Sequence, residues 1–485
     1  MNKFKPTFAD RFVAYKFMFL NWWLIVSLIL KLGPINTLHK IRQYPWILKL
    51  FTVNSLVGRV NQGRTGHYRE AIDFTLHCVL KDLKRHLEAA FLESDKVVEH
   101  VEIMPVEIIE AMGLQSYSVE MLTILLGYIN PTFLEEYIDA SDNFGIPNDT
   151  CSLPRAALGM GLMGQHPKGS ALITANLPCD GGKSIYNVLA DYFGGPCFQL
   201  DVPAKYTTEE GLDYLTEQLK EMISWLEENT SGRMDWDRLR QACKWRNEAV
   251  EYEMEMWEMY RQRPTPLAGD IVFLSHMWAF TFMPGTELSA KMMKRLSELC
   301  KKNYDKGIAA AGTEKYRALM LNPVPALTAE FYAWAEQTYG VAVVMESMTY
   351  HTQPYIDTES PETMLRGLAH VFGDSPMIRN GNSNTQKFMS ELFRAYEDFD
   401  CDMIWLSDNI ACKQLKGFTG IIKEICREKN IPIVIIDHAL VDHRACDWVK
   451  ITDQVGEFME NIMKAKKLDN EPFVPLPAKL KLQDI

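Results

Sequence analysis

The chain has 485 residues, too many for one ordinary hydrophobic core, so its length predicts two or three domains. Its 47% hydrophobic and 24% charged residues are typical of a soluble globular protein. The net charge of −12 argues against nucleic acid as a partner, because neutralising phosphates needs a surplus of Lys and Arg. Ten scattered cysteines without a C-x-x-C pair, and no secretory signal pattern, favour a cytoplasmic protein over a disulfide-linked one.

The first 70 residues differ from the rest of the chain in charge. They hold eleven Lys and Arg against two acids, Asp10 and Glu70, and include the apolar run FMFLNWWLIVSLILKL at 17–32. This run is shorter than the roughly 20 residues that span a bilayer. We expect it to pack against the body of the protein or a partner subunit, with interfacial membrane contact as the alternative. Residues 1–95 are interpreted as a basic, helical extension.

Strand and helix patterns alternate from about residue 96 onwards. The predicted strands are 97–105, 169–178, 196–203, 314–325, 340–350, 401–409 and 431–439. Such alternation indicates parallel sheets, so the predicted fold class is α/β with two Rossmann- or flavodoxin-like lobes. The first lobe is predicted at 96–270, with a helical insertion, and the second at 271–485.

The same short pattern, Asn-x-x-Cys, follows a predicted strand in each half of the chain. It reads NLPCD at 176–180 and NIACK at 409–413, which places Cys179 and Cys412 between a strand end and the start of a helix. Open parallel sheets bind ligands outside these strand ends, and a helix N-terminus favours an anion such as a thiolate. The two segments therefore predict one structural unit used twice.

A third cysteine, Cys151, has a comparable setting in NDTCSL, where Asn, Asp and Thr are good capping residues before a helical run. If the two lobes face each other, the three thiolates converge. Three thiolates around an open fourth position suit an iron–sulfur cluster better than a closed zinc site. Unconnected, buried cysteines are the alternative at this point.

Five motifs in this order resemble the 2-hydroxyacyl-CoA dehydratase family, which includes subunits of ATP-dependent benzoyl-CoA reductase and the double-cubane cluster proteins. The motifs are MPVEIIEAMGL (104–114), NDTCSL (148–153), NLPCD followed by FQLDVP (176–203), SDNIACKQLKG (407–417) and IPIVIIDHALVDHR (431–444). The resemblance covers about residues 96–465. It implies two α/β lobes that hold one [4Fe–4S] cluster through Cys151, Cys179 and Cys412.

The resemblance also implies a candidate fourth ligand, and the sequence itself offers further candidates around the cluster. Glu107, in the P-x-E of MPVEII, is a candidate fourth ligand, with a first-turn acid that favours the helix dipole as the alternative. His438 and His443 are candidate proton donors, with solvated loop histidines as the alternative. Lys413 and the run WEMYRQRP at 257–264 are candidates for contacts with CoA phosphates.

The implied function is that of an iron–sulfur subunit of an ATP-activated 2-hydroxyacyl-CoA dehydratase, a carbon–oxygen lyase. In this reaction one electron from the cluster turns the CoA thioester into a ketyl radical, which expels the neighbouring hydroxyl and gives enoyl-CoA. The implied partners are a homologous second subunit, or a second copy of the chain, and a separate ATP-hydrolysing iron–sulfur activator. The chain has no phosphate-binding loop of its own, because Leu177 replaces the first glycine that CDGGKS would need.

Two departures from the family pattern leave other functions open. HVEIM at 100–104 lacks the serines of some catalytic subunits, and ITDQVGEF at 451–458 lacks an arginine that relatives often have. The alternatives are a benzoyl-CoA-reductase-like or double-cubane-cluster reductase subunit, an electron-relay subunit, and a non-catalytic scaffold that kept the fold but lost the cluster.

Overall fold

Two parallel sheets organise the molecule. The computed structural model describes residues 22–322, 329–350, 353–381, 385–470 and 472–475. The first sheet consists of β1 (Val97–His100), β2 (Gln115–Ser118), β3 (Ala171–Ala175) and β4 (Cys197–Leu200). The second consists of β5 (Tyr316–Leu321), β6 (Val341–Glu346), β7 (Met403–Asn409) and β8 (Ile433–His438). These sheets confirm the predicted α/β fold class with two lobes.

Both sheets in the described part of the chain have the same topology. Their strand orders are β2-β1-β3-β4 and β6-β5-β7-β8, and every neighbouring pair is parallel. This is the order of the first four strands of a flavodoxin-like sheet, in which the chain reverses direction between the first and third strands. The crossover from β3 to β4 is therefore equivalent to the crossover from β7 to β8, as the repeated Asn-x-x-Cys pattern predicts.

Helices cover and connect the sheets. Those of the described residues are 22–32, Pro34–Gln43, Trp46–Lys49, Val53–Val60, Gly66–Leu92, Val106–Ala111, Met121–Ile129, Glu135–Phe144, Ser152–Leu162, Asp180–Phe193, Glu209–Asn229, Trp236–Tyr260, Asp270–Met277, Glu287–Tyr304, Phe331–Tyr339, Pro361–Gly373, Pro376–Gly381, Thr385–Asp398, Lys413–Lys429 and Trp448–Asn461. Among them no helix combines the length and apolarity needed to cross a membrane.

The N-terminal region is helical, as predicted, and it packs against both lobes. Trp46 is fully buried, and its indole Nε1 donates to the Gln165 carbonyl in the first lobe at 2.8 Å. Arg64 forms a buried ion pair with Glu336 in the second lobe at 2.9 Å. Residues 17–21 of the apolar run lie outside the described part. The domain boundaries at 95/96 and 270/271 stay a prediction.

One strand was missed from the sequence. β2 has the sequence QSYS, which contains no apolar run, yet three of its four residues are buried. Ser116 is buried, and its hydroxyl donates a hydrogen bond to Glu110 at 3.0 Å. This bond satisfies the polar group, so that its burial carries little cost. The strand is therefore stabilised by contacts with residues elsewhere in the chain rather than by its own hydrophobicity.

Candidate active site

Three cysteines line one cavity of about 240 Å³. Cys151, Cys179 and Cys412 each occupy the residue immediately before a helix, namely Ser152–Leu162, Asp180–Phe193 and Lys413–Lys429. The first two belong to the first lobe and the third to the second lobe. The structure thus brings together the three cysteines that the sequence singles out.

The two Asn-x-x-Cys asparagines hold this arrangement in different ways. Asn176 accepts a hydrogen bond from the Val202 backbone N–H at 2.9 Å, which ties the loop after β3 to the end of β4. Asn409 donates through Nδ2 to the Cys151 sulfur at 3.4 Å. The second asparagine therefore links the cysteine loop of one lobe to a thiol of the other.

Burial dominates the electrostatics of the three thiols. It raises the pKa of Cys151 to about 11, and it also raises the pKa values of Cys179 and Cys412. The helix N-termini act in the opposite direction, since the Gly182 backbone N–H donates to the Cys179 sulfur at 3.3 Å. Because burial wins, the free thiols stay protonated at neutral pH, and a bound cation has to displace their protons.

The three cysteines supply one type of donor, the soft thiolate. Among the described residues, no three His, Cys, Asp or Glu side chains are placed to hold one metal ion. A mononuclear zinc site needs its ligands about 2.0–2.3 Å from one point. A bound [4Fe–4S] cluster would take one thiolate on each of several irons, so its ligands would not need to meet at one point. Three soft donors around a shared cavity therefore fit an iron–sulfur cluster.

Two carboxylates that sequence reasoning missed line the same cavity. Glu102 and Glu120 are 6% and 2% exposed, and neither forms a salt bridge within the described part of the chain. Glu120 accepts from the Glu102 backbone N–H at 3.1 Å and from the Tyr186 hydroxyl. Burial raises the pKa of both carboxyl groups. Both follow strand ends, Glu102 after β1 and Glu120 after β2. Because β2 was not predicted, the position of Glu120 at a strand end was not predicted either.

His438 is a buried cavity residue rather than a solvated loop histidine. It is the last residue of β8, is 1% exposed and lines the cavity of the cysteines. Its Nε2 is 2.6 Å from the Ser407 hydroxyl, and burial lowers its pKa to about 4. The imidazole is therefore neutral at physiological pH. His443, in contrast, lies near the surface, 3.0 Å from Glu135.

The rest of the cavity wall is largely apolar. Much of it comes from the helix Asp270–Met277 and the π-helical turn Trp278–Phe282 that follows it. The apolar lining residues include Leu153, Phe273, Met277, Trp278, Phe282, Met348, Phe388, Phe418, Leu440 and Val441. Such a wall keeps water away from the buried carboxyl groups and thiols.

A family model described as 2-hydroxyglutaryl-CoA dehydratase, D-component, matches residues 103–462. The chain belongs to this family. The match spans most of the chain and includes all three cavity cysteines, and it confirms the resemblance predicted from the motifs. No curated protein matches the chain. Membership places the chain among dehydratase-type components.

The P-x-E glutamate lies outside the cysteine cavity. Glu107 is in the first turn of the helix Val106–Ala111 and lines a smaller cavity of about 50 Å³. Its Oε1 accepts from Arg246 at 2.8 Å, and both side chains are buried. The fourth-ligand role of Glu107 stays a prediction. In this structure the carboxylates that line the cysteine cavity are Glu102, Glu120 and Asp180.

The basic residues predicted to contact CoA lie in different parts of the structure. Lys413 lines the cysteine cavity and is 3.3 Å from Asp149. Arg263, from the run 257–264, pairs with Asp400 at 2.6 Å, just before β7 begins. The cysteine cavity lies at the other end of β7. This arginine therefore lies at the amino end of the strand, away from the cavity.

Proposed function

We propose that the chain is the iron–sulfur subunit of an ATP-activated 2-hydroxyacyl-CoA dehydratase, with a [4Fe–4S] cluster held by Cys151, Cys179 and Cys412. The observation that carries this proposal is that three cysteines at helix N-cap positions, from two lobes, line one cavity. Family membership supports the reaction type. When bound, such a cluster supplies a low-potential electron to the thioester and recovers it after the proton is lost.

The side chains around the cavity would handle the protons of the reaction. Dehydration moves a proton to the leaving hydroxyl and removes another from the β-carbon, so a single carboxyl group can serve both steps without net change. We assign this role to Glu120, because burial raises its pKa to about 7, so that it can gain and lose a proton near neutral pH, and two hydrogen bonds orient it. The neutral His438–Ser407 pair would orient polar atoms of the substrate.

The cavity supports a CoA thioester as the substrate. Its apolar wall would enclose the acyl chain and exclude water, and Lys413 lies where it could attract a phosphate. The D-component family implies a companion subunit and an activator in general. For this chain we propose a homologous subunit or a second copy, and an ATP-hydrolysing iron–sulfur activator.

Iron and acid-labile sulfide content of anaerobically purified protein, with an EPR spectrum after dithionite, tests the proposal. We expect about four irons per chain and a reducible signal. Replacing Cys151, Cys179 or Cys412 by serine should lower the iron content, whereas Cys197→Ser should not. Cys197 is the matched control because it is exposed on β4 and does not line the cavity.

Other results would change the assignment. About eight irons per chain would point to a double cubane and a reductase. No iron in folded, reconstituted protein would refute the cluster and favour a scaffold. With iron present, conversion of a 2-hydroxyacyl-CoA to enoyl-CoA by the reconstituted complex with activator and ATP would establish dehydration.

A further inference from the structure

An exposed apolar surface lies at the N-terminal end of the described chain. We call it the N-terminal apolar face; it consists of Trp22, Trp23, Val26, Ile29, Leu30, Ile35 and Leu38. Leu30 and Ile35 are 76% and 71% exposed, and Trp22 is 54% exposed. A run of large apolar side chains at this exposure marks an interaction surface rather than scattered exposed residues.

The face is not an undocked core helix. The opposite side of helix 22–32 carries Leu24, Ile25 and Leu28, which are all buried against the body of the protein. This packing is what the sequence predicts for the apolar run, and it leaves the outer side unexplained. A helix that is apolar on both sides needs a second apolar environment for its outer side.

Charge identifies the kind of environment. Residues 22–69 contain no Asp or Glu, and the two helices that carry the apolar face also carry Lys31, Lys40 and Arg42. Residues 1–70 carry a net charge of +9, whereas the remaining residues carry −21. A two-fold contact between copies through this face would bring bases against bases. An anionic lipid surface instead matches the bases with headgroups and the Trp and Leu side chains with the acyl boundary.

We infer that the N-terminal apolar face binds peripherally to bilayers that contain anionic lipids. The part of the helix that the structure describes spans eleven residues, 22–32, and suits a position in the plane of the interface. The two tryptophans at its start and Lys31 near its end are the kinds of side chain that anchor such helices at the headgroup level. This inference is independent of the proposed function, because none of these residues lines the cysteine cavity.

Co-sedimentation of the full-length protein with vesicles tests the inference. We expect binding to vesicles of phosphatidylcholine and phosphatidylglycerol in equal parts, and weak binding to phosphatidylcholine alone. Leu30→Asp should lower the partition by about tenfold or more, because it places an acid in the interface. Ile462→Asp is the matched control; Ile462 is 62% exposed and is not part of the N-terminal apolar face, so its change should have no effect.

The electrostatic contribution to vesicle binding is measured with separate variants. Lys31→Gln and Arg42→Gln should each lower binding to the anionic vesicles by about fivefold, with a smaller salt dependence. The inference would be overturned if the protein bound neither type of vesicle, or if wild type and Leu30→Asp bound equally well. So would light scattering that shows a dimer which Leu30→Asp converts to a monomer, because the occupant would then be a second copy. Iron content should be the same in all these variants, which separates this test from that of the cluster.

Discussion

Glu102 and Glu120 stand out at the scale of single residues. An ionised carboxylate without a cationic partner is costly to bury, and neither residue has a salt bridge among the described side chains. Both carboxyl groups therefore hold a proton at a higher pH than usual. A protonated carboxyl group in an apolar, ligand-sized cavity has the properties of a general acid.

Glu120→Gln tests the proton-transfer role. Glutamine keeps the size of the side chain but cannot exchange a proton, so we expect kcat to fall by about 10²–10⁴-fold with unchanged iron content. The measurement is enoyl-CoA formation by the reconstituted complex. Glu346→Gln is the control, because Glu346 is also a buried carboxyl group but does not line the cavity. Equal rates in both variants would remove Glu120 from the mechanism.

Glu346 itself predicts a pH dependence of stability. It ends β6, is 1% exposed, accepts from the Met348 backbone N–H at 2.7 Å, and burial raises its pKa to about 8. An unfolded glutamate titrates near 4.3. Between these values the folded state binds more protons than the unfolded state, so this residue makes the protein less stable as pH rises towards 8, by up to about 1.4 kcal/mol per pH unit.

Urea unfolding of wild type and Glu346→Gln at pH 5 and pH 8 measures this contribution. The variant cannot titrate, so its free energy of unfolding relative to wild type should be greater at pH 8, by on the order of 2–4 kcal/mol. A difference between the two proteins that is the same at both pH values would show that Glu346 is already ionised in the folded state.

At the scale of elements, the N-terminal helices are joined to the second lobe by buried charges. Arg59 pairs with Glu330 at 3.2 Å, and Arg64 pairs with Glu336 at 2.9 Å and also contacts Asp270. Removing one member of a buried pair leaves the other charge uncompensated, which costs more than the pair itself contributes. The extension is thus fixed to the body by residues whose partners lie more than two hundred positions away.

Arg64→Ala should therefore destabilise the folded protein by about 3–5 kcal/mol, measured by chemical unfolding. Arg69→Ala is the control, because Arg69 forms a partly exposed pair with Asp73 at 3.6 Å and should cost at most about 1 kcal/mol. Adding Glu336→Gln to the Arg64 variant should recover part of the loss. No recovery would mean that the arginine acts through packing rather than charge.

The same scale shows what the sequence could predict. Apolar runs predicted seven strands. The Asn-x-x-Cys pattern placed Cys179 and Cys412 between a strand end and a helix, and capping residues placed Cys151 before a helix. β2 was not predicted, because its burial depends on hydrogen bonds to residues outside the strand, such as that of Ser116 with Glu110. Glu120 follows β2, so its place beside the cysteines depends on a strand pairing that no local pattern encodes.

At the scale of the whole molecule, the candidate site exists only when both lobes are in register. Cys412 comes from the second lobe, and Asn409 and the loop after β8 contact the first. The Val441 backbone N–H donates to the Ser152 hydroxyl at 3.1 Å, next to Cys151. A cluster bound across this junction stabilises only the docked arrangement, because a ligand stabilises the state that binds it.

This coupling predicts how the cluster affects thermal unfolding. The iron-loaded wild type should unfold at a higher temperature than the same protein after iron removal, by roughly 4 °C or more, since each kcal/mol shifts Tm by about 2–4 °C in large domains. Cys179→Ser and Cys412→Ser should lose this increment equally, although they alter different lobes, while Cys197→Ser should keep it. If only the variant of one lobe lost the increment, the cluster would be held by that lobe alone, and the shared cavity would not be its site. Anaerobic calorimetry of the four proteins, each with its iron content measured beforehand, makes the comparison at known loading.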